Sequence, residues 1–188
     1  MLEMYKPLLS THSFVESLVR EIRRLEKRRT TFRVVEWGPG ESTGIILASE
    51  WCAFLLSIES DPFWYGVASE CYGRDPRLLL KHLPLPAAYD ATCPFVRFPD
   101  SLVPFDLMFI DGSAYRTECA LAAKRLLNQN GCALLHDYIR VGGEDDKDGP
   151  LDAPGVRRYQ VTFEITLGQF PFVCHDVANK TTVFGLER

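Results

Sequence analysis

The stretch Arg33-Val34-Val35-Glu36-Trp37-Gly38-Pro39-Gly40-Glu41-Ser42-Thr43 restricts the fold more than any other part of the chain. A short β-branched run ends on an acid, crosses a glycine turn, and opens a helix on Ser-Thr. That is the order of a strand, a tight turn and a helix in an α/β sheet whose ligand sits on the turn.

The rest of the chain can be read as support for that unit. Phe14, Val15, Leu18, Val19, Ile22 and Leu25 recur at helical spacing, and Ser13 with Glu16 has the form of a capping box. The spacing predicts an amphipathic helix over Ser13–Lys27. Arg20, Arg23, Arg24, Lys27, Arg28 and Arg29 are read as its solvated face, complementing the negative end of the helix dipole. Strands are expected over 32–38, 53–59, 77–83, 105–111 and 132–137, and within 156–167 and 170–186, with Gly168 turning the last pair. Helices are expected over 42–50, from Pro62 behind an Asp61 cap, and over 117–127. Phe63, Trp64, Val67, Ala68 and Cys71 line the Pro62 helix, and Asn128–Gly131 ends the helix over 117–127. Residues 84–104, with five prolines, read as loop. The alternation predicts a doubly wound α/β sheet.

With 188 residues, 46% apolar and 24% charged, one globular domain over 1–188 is expected. Within it, 1–12 form an N-terminal arm and 141–155 a mobile acidic loop. The net charge of −4 disfavours nucleic acid as a partner, and no apolar run is long enough to span a bilayer. Six scattered cysteines with neither C-x-x-C nor zinc spacing suit reduced thiols in a cytoplasm.

The turn itself selects the ligand. A pyrophosphate needs a third glycine and a bare helix N-terminus. Here Glu36 and Glu41 flank the glycines and would repel phosphate. They suit a ligand carrying an ammonium group, which separates S-adenosylmethionine from NAD. Glu59, ending the second strand 23 positions after Glu36, is placed to accept hydrogen bonds from ribose hydroxyls.

Glu36-x-Gly38-x-Gly40, Glu59, Phe105–Ser113 and Gly131-Cys-Ala-Leu-Leu-His136-Asp137-Tyr138 together resemble the class I S-adenosylmethionine-dependent methyltransferases. More narrowly, Glu36-Trp37-Gly38, Ser57–Tyr65, Asp111-Gly112, Arg116 with Cys119-Ala120, and His136-Asp137-Tyr138 are similar to a mostly bacterial group of that superfamily. The resemblance implies a Rossmann-like sheet of seven strands with the last antiparallel. It implies that Glu36, Gly38, Pro39, Gly40, Ser42 and Thr43 line the methionine end of the cofactor. Glu59 then holds the ribose, Ser60 and Asp61 lie near the adenine, and Asp111 faces the methyl-transfer site.

A sulfonium is already an activated donor, so the protein has to align the acceptor and, for a hydroxyl, remove its proton. Asp111, His136 and Asp137 end adjacent strands and are the candidate catalytic groups, with His136 as base. Tyr138, Arg116 and Arg140 are candidates for substrate binding, although Arg116 could equally pair with Glu118 or Asp111. Asp111 and Asp137 match two magnesium ligands of catechol-type O-methyltransferases. Tyr138 stands where those enzymes have asparagine, so a metal-free site is expected. The leading reading is a methyltransferase of a small molecule at a hydroxyl oxygen. A non-catalytic cofactor-binding or assembly module stands second and an NAD-linked oxidoreductase third. A homodimer could bury the N-terminal helix or the proline-rich loop.

Overall fold

Short runs that alternate with helices pair into one seven-stranded sheet in the order β3-β2-β1-β4-β5-β7-β6. The computed structural model describes residues 14–88, 90, 92–97, 100–112, 115–136, 167–176 and 181–187. The strands are β1 (Phe32–Trp37), β2 (Cys52–Glu59), β3 (Leu78–His82), β4 (Phe105–Ile110), β5 (Leu127–His136), β6 (Phe172–Asp176) and β7 (Thr181–Gly185). The helices are α1 (Val15–Glu26), α2 (Glu41–Leu47), α3 (Pro62–Tyr72) and α4 (Arg116–Leu126). The first five strands pair in parallel. β7 runs antiparallel to both β5 and β6.

Period-two alternation divides the core between the two faces of the sheet. Val34, Leu55, Leu107, Phe109 and Leu134 point to one face and pack under α1 and α2. Val35, Leu56, Met108, Ile110, Ala133 and Leu135 point to the other, against Cys119, Ala120 and Ala123 of α4. Both faces are covered, as a parallel sheet requires. The loop after β3 takes the place of a helix on the second face. Its Cys93, Phe95 and Val96 are buried there, and the Trp37 indole donates to the Phe95 carbonyl at 2.8 Å.

Several boundaries differ from the expected ones. α1 has Phe14 at its N-cap with no side-chain cap, and Ser13 lies outside the described residues, so no capping box is seen. Asn128–Gly131 belong to β5 and do not form a helix end. Tertiary pairing overrides the turn signal: Leu127 registers with Phe105, and the Asn128 amide donates to Asp106. Gly168 sits in a turn before β6, so it does not join the last strand pair. The arginines of α1 are more than a solvated face. Arg20 bonds Asp176, Arg24 bonds Glu21 and the Cys132 thiol, and Arg28 bonds the Asn130 carbonyl. They tie the helix to β5 and β6. The 1–12 arm and the 141–155 loop lie outside the described residues.

Candidate functional site

Strand order reverses between β1 and β4. The chain builds outward through β2 and β3, then returns to place β4 on the other side of β1. Helices before and after this point cover opposite faces, so a cleft opens beyond the carboxyl ends of β1 and β4. The two strand ends are tied together there. The Asp111 amide donates to the Trp37 carbonyl at 3.0 Å, and on the other side of β1 the Gly38 amide donates to the Ile58 carbonyl of β2 at 3.0 Å.

The two glycines of the turn have different work. Gly38 has φ +85°, and a Cβ on it would stand 3.0 Å from the backbone of Asp111 and Gly112. Glycine is required there by conformation and by the close passage of β4. Gly40 would place a Cβ in open space, is exposed, and follows the buried Pro39. The room for a ligand therefore lies over Gly40, while the room at Gly38 is filled by the neighbouring strand.

Glu36 braces the turn from beneath. Its side chain is fully buried and accepts from the Ser42 hydroxyl at 2.9 Å and the Thr43 hydroxyl at 2.6 Å. The Gly40 amide donates to the same Thr43 oxygen at 3.0 Å, so the carboxylate, the hydroxyls and the turn backbone form one network. Burial pushes the Glu36 carboxyl up to about 7, against the lowering effect of the Thr43, Ser57 and Ser42 hydroxyls and with help from the Asp111 charge. The folded chain therefore holds this proton where an unfolded glutamate has lost it. The associated stability is complete below the ordinary glutamate range and is lost as pH rises towards and through 7. The two hydroxyls, expected to line the methionine end of a cofactor, are here the partners of Glu36.

Glu59 ends β2 as expected. Its Oε1 accepts from the Ser60 and Asp61 amides at 2.6 and 2.8 Å and from the Ser60 hydroxyl at 3.4 Å. Among the described residues Oε2 has no protein donor. Asp61 caps α3 through the Phe63 and Trp64 amides. His82 was not anticipated. It is the register partner of Glu59, contacts the Ser60 carbonyl at 3.2 Å and lies against Tyr65. The signal in the sequence was a histidine at the end of the third strand.

Asp111 and His136, 25 positions apart, meet at 2.8 Å between Oδ1 and Nδ1. For a neutral imidazole this contact puts the proton on Nδ1 and leaves Nε2 with its lone pair. Arg116 holds the loop backbone around the pair. It donates to the carbonyls of Gly112 (2.6 Å), His136 (2.9 Å) and Asp111 (3.3 Å), and lies 3.5 Å from the Asp111 carboxylate. Phe14, read from the sequence only as a core position, packs edge-on to the His136 ring with centroids 4.9 Å apart. Asp137, Tyr138 and Arg140 lie outside the described residues. Among the described residues no cluster of three or more His, Cys, Asp or Glu could hold a metal ion, and no helix is long and apolar enough to cross a membrane.

Neither a protein-family model nor a curated protein matches this sequence. The fold does have solved counterparts. A protein assigned as a caffeoyl-CoA O-methyltransferase from Staphylococcus aureus matches with a TM-score of 0.62 and 15% identity, over 88% of this chain and 81% of that one. The N-methyltransferase NodS from Bradyrhizobium japonicum, solved with S-adenosyl-L-homocysteine, matches at 0.52 and 14% identity, over 95% and 89%. The CMeT domain of the citrinin polyketide synthase matches at 0.60 and 10% identity over 93% of this chain, which spans about half of that structure, 52%. At these identities the likeness is one of fold. The architecture is a Rossmann-like sheet of the kind these methyltransferases share.

Proposed function

We propose that this chain is an S-adenosylmethionine-dependent methyltransferase that acts on a hydroxyl oxygen of a small molecule. The observation that carries the reading is the Asp111–His136 pair, 2.8 Å apart, across the strand-order switch from the open turn at Gly40.

The residues fit the cofactor at three places. Open space over Gly40 admits its methionine end. The buried Glu36 supplies negative charge close to an ammonium group through the hydroxyl network of the turn. Glu59 Oε2 is available to ribose hydroxyls. The bound cofactor supplies an activated methyl group on sulfur. The rest falls to the chain's own side chains. Nε2 of His136 accepts the acceptor hydroxyl's proton as the oxygen attacks. Asp111 fixes the ring tautomer and stabilises the imidazolium that results. Arg116 keeps both strand ends in register. Substrate contacts would come from Tyr138 and Arg140. The site is read as metal-free, because the Arg116 guanidinium beside Asp111 opposes a divalent cation there.

Calorimetry with S-adenosylmethionine tests the cofactor half. Binding is expected, with at least tenfold loss in Gly40→Val, whose side chain would fill the open space. Affinity should rise between pH 6 and 8 as Glu36 ionises, and the slope should flatten in Glu36→Gln. Absence of binding by the native chain sinks the reading. Turnover over a panel of hydroxylated acceptors tests the catalytic half. His136→Ala should lower kcat by about 10²- to 10⁴-fold with cofactor affinity intact. Binding without turnover of any acceptor would favour a non-catalytic binding module.

A further inference from the structure

An imidazole takes a proton from an acceptor only when its ring is aimed, and one hydrogen bond does not aim it. The Asp111 contact at 2.8 Å fixes one corner of the His136 ring. The plane of the ring is set by what lies against it, because rotation about the Cβ–Cγ bond of histidine is broad. Phe14 lies there. Its ring crosses the imidazole at 71° with centroids 4.9 Å apart, a favoured arrangement for an aromatic pair.

Phe14 is itself held. It is 4% exposed, packs on Phe109 of β4 at 5.0 Å, and its carbonyl accepts from the Leu18 amide at 2.9 Å. Three residues on, and so on the same side of α1, the Ser17 hydroxyl donates to Asp176 at 2.9 Å. Arg20 reaches the same carboxylate at 3.3 Å. Asp176 and His136 both register with Thr181. The first turn of α1 is therefore fastened to the cross-strand row that carries His136. The apolar ring also keeps water from the Asp111–His136 contact. His136 is 8% exposed, and a hydrogen bond in a dry site is stronger.

We propose that Phe14 is a positioning residue for His136, holding the imidazole plane and the proton on Nδ1. The role rests on the reading of His136 as the base of a methyl transfer. It gives a part in the reaction to α1, a helix outside the strand–turn–helix unit that seats the cofactor. Phe14 acts through His136. A displaced ring carries Nε2 away from the acceptor oxygen, and misplacing a reacting atom by about 1 Å can cost on the order of 100-fold in rate.

Phe14→Leu keeps an apolar side chain and removes the ring, and two measurements on the full chain read the result. Imidazole nitrogen NMR at alkaline pH reads the tautomer, with the His136 signals identified by their loss in His136→Gln. The native chain should show the Nδ1–H form, and Phe14→Leu a shift towards a mixture with Nε2–H. Turnover with S-adenosylmethionine and the best of the hydroxylated panel reads the alignment. In Phe14→Leu, kcat should fall roughly 10- to 100-fold, with KM and cofactor affinity within about twofold. Leu25→Val loosens α1 at its far end, where Leu25 is buried, and should change neither readout. Phe14→Met repeats the test should Phe14→Leu fail to fold. A ring-less variant that keeps the native nitrogen signals overturns the proposal, and so does a Leu25→Val chain that reproduces the loss. If the native chain methylates nothing, the proposed activity falls, and the nitrogen signals still decide whether Phe14 holds His136.

Discussion

Helices α1 and α3 are of similar length, 12 and 11 residues, and use opposite compositions. α1 carries Glu16, Glu21, Glu26, Arg20, Arg23 and Arg24, and still buries Val15, Leu18, Ile22 and Leu25. α3 carries one charge, Glu70, and buries only Ala68. Spacing and position on the sheet account for the difference. The apolar residues of α1 form one stripe three and four apart, over the central strands β1, β4 and β5. Those of α3 spread around the helix, which sits at the sheet edge against β3 and the end of β2. Composition alone would have ranked the two helices the wrong way round.

The largest test of this contrast removes a knob from the packed helix. Leu18 is fully buried, so Leu18→Ala should cost about 2–5 kcal/mol in denaturant unfolding. Val67→Ala on α3 should stay within about 0.5 kcal/mol. Equal losses from the two changes would erase the distinction between the helices.

A smaller effect comes from the polar seam under α1. Glu21 is nearly buried, and its Oε2 accepts from Arg24 at 2.6 Å. Cys132 donates to it from β5 at 3.6 Å, with its thiol pushed up to about 12 by burial. Arg24→Met should leave that carboxylate underpaired and cost roughly 1–3 kcal/mol. Adding Glu21→Gln should recover part of the loss. A neutral Arg24→Met would return α1's arginines to the role of a solvated face.

The smallest effect on folding belongs to α3. Trp64→Gln, measured by thermal unfolding at low protein concentration, should leave stability within about 0.5 kcal/mol of the native chain. A loss of several degrees in Tm there would mean that the exposed ring supports the fold.

Much of the candidate site could be read from local sequence, because strand ends and turns are local. Val34-Val35-Glu36 followed by two glycines locates a β1 turn, and Glu59 locates the end of β2. Phe105–Asp111 locates β4. What such reading misses is the partner of each group. Glu36 looked like a group facing a ligand, and its Oε1 and Oε2 turn out to be held by Thr43 and Ser42. Gly38 and Gly40 looked equivalent, and only the passage of β4 separates them. Arg116 could be drawn towards substrate, Glu118 or Asp111. The structure directs it mainly to three carbonyls at the strand ends and, at 3.5 Å, to the Asp111 carboxylate.

The sequence by itself determined the alternation of strands and helices, the two-sided burial of the sheet, and the placing of acids at the ends of β1, β2 and β4. Hydrophobic period and turn chemistry act over a few residues, and so they are written locally. Only the tertiary structure decided that β4 lies beside β1. That neighbourhood sets Asp111 against Gly38, the β4–β5 pairing brings it to His136, and the edge position of β3 leaves one face of α3 exposed. Those outcomes depend on strand order and on which surfaces remain after packing, and no local pattern encodes either.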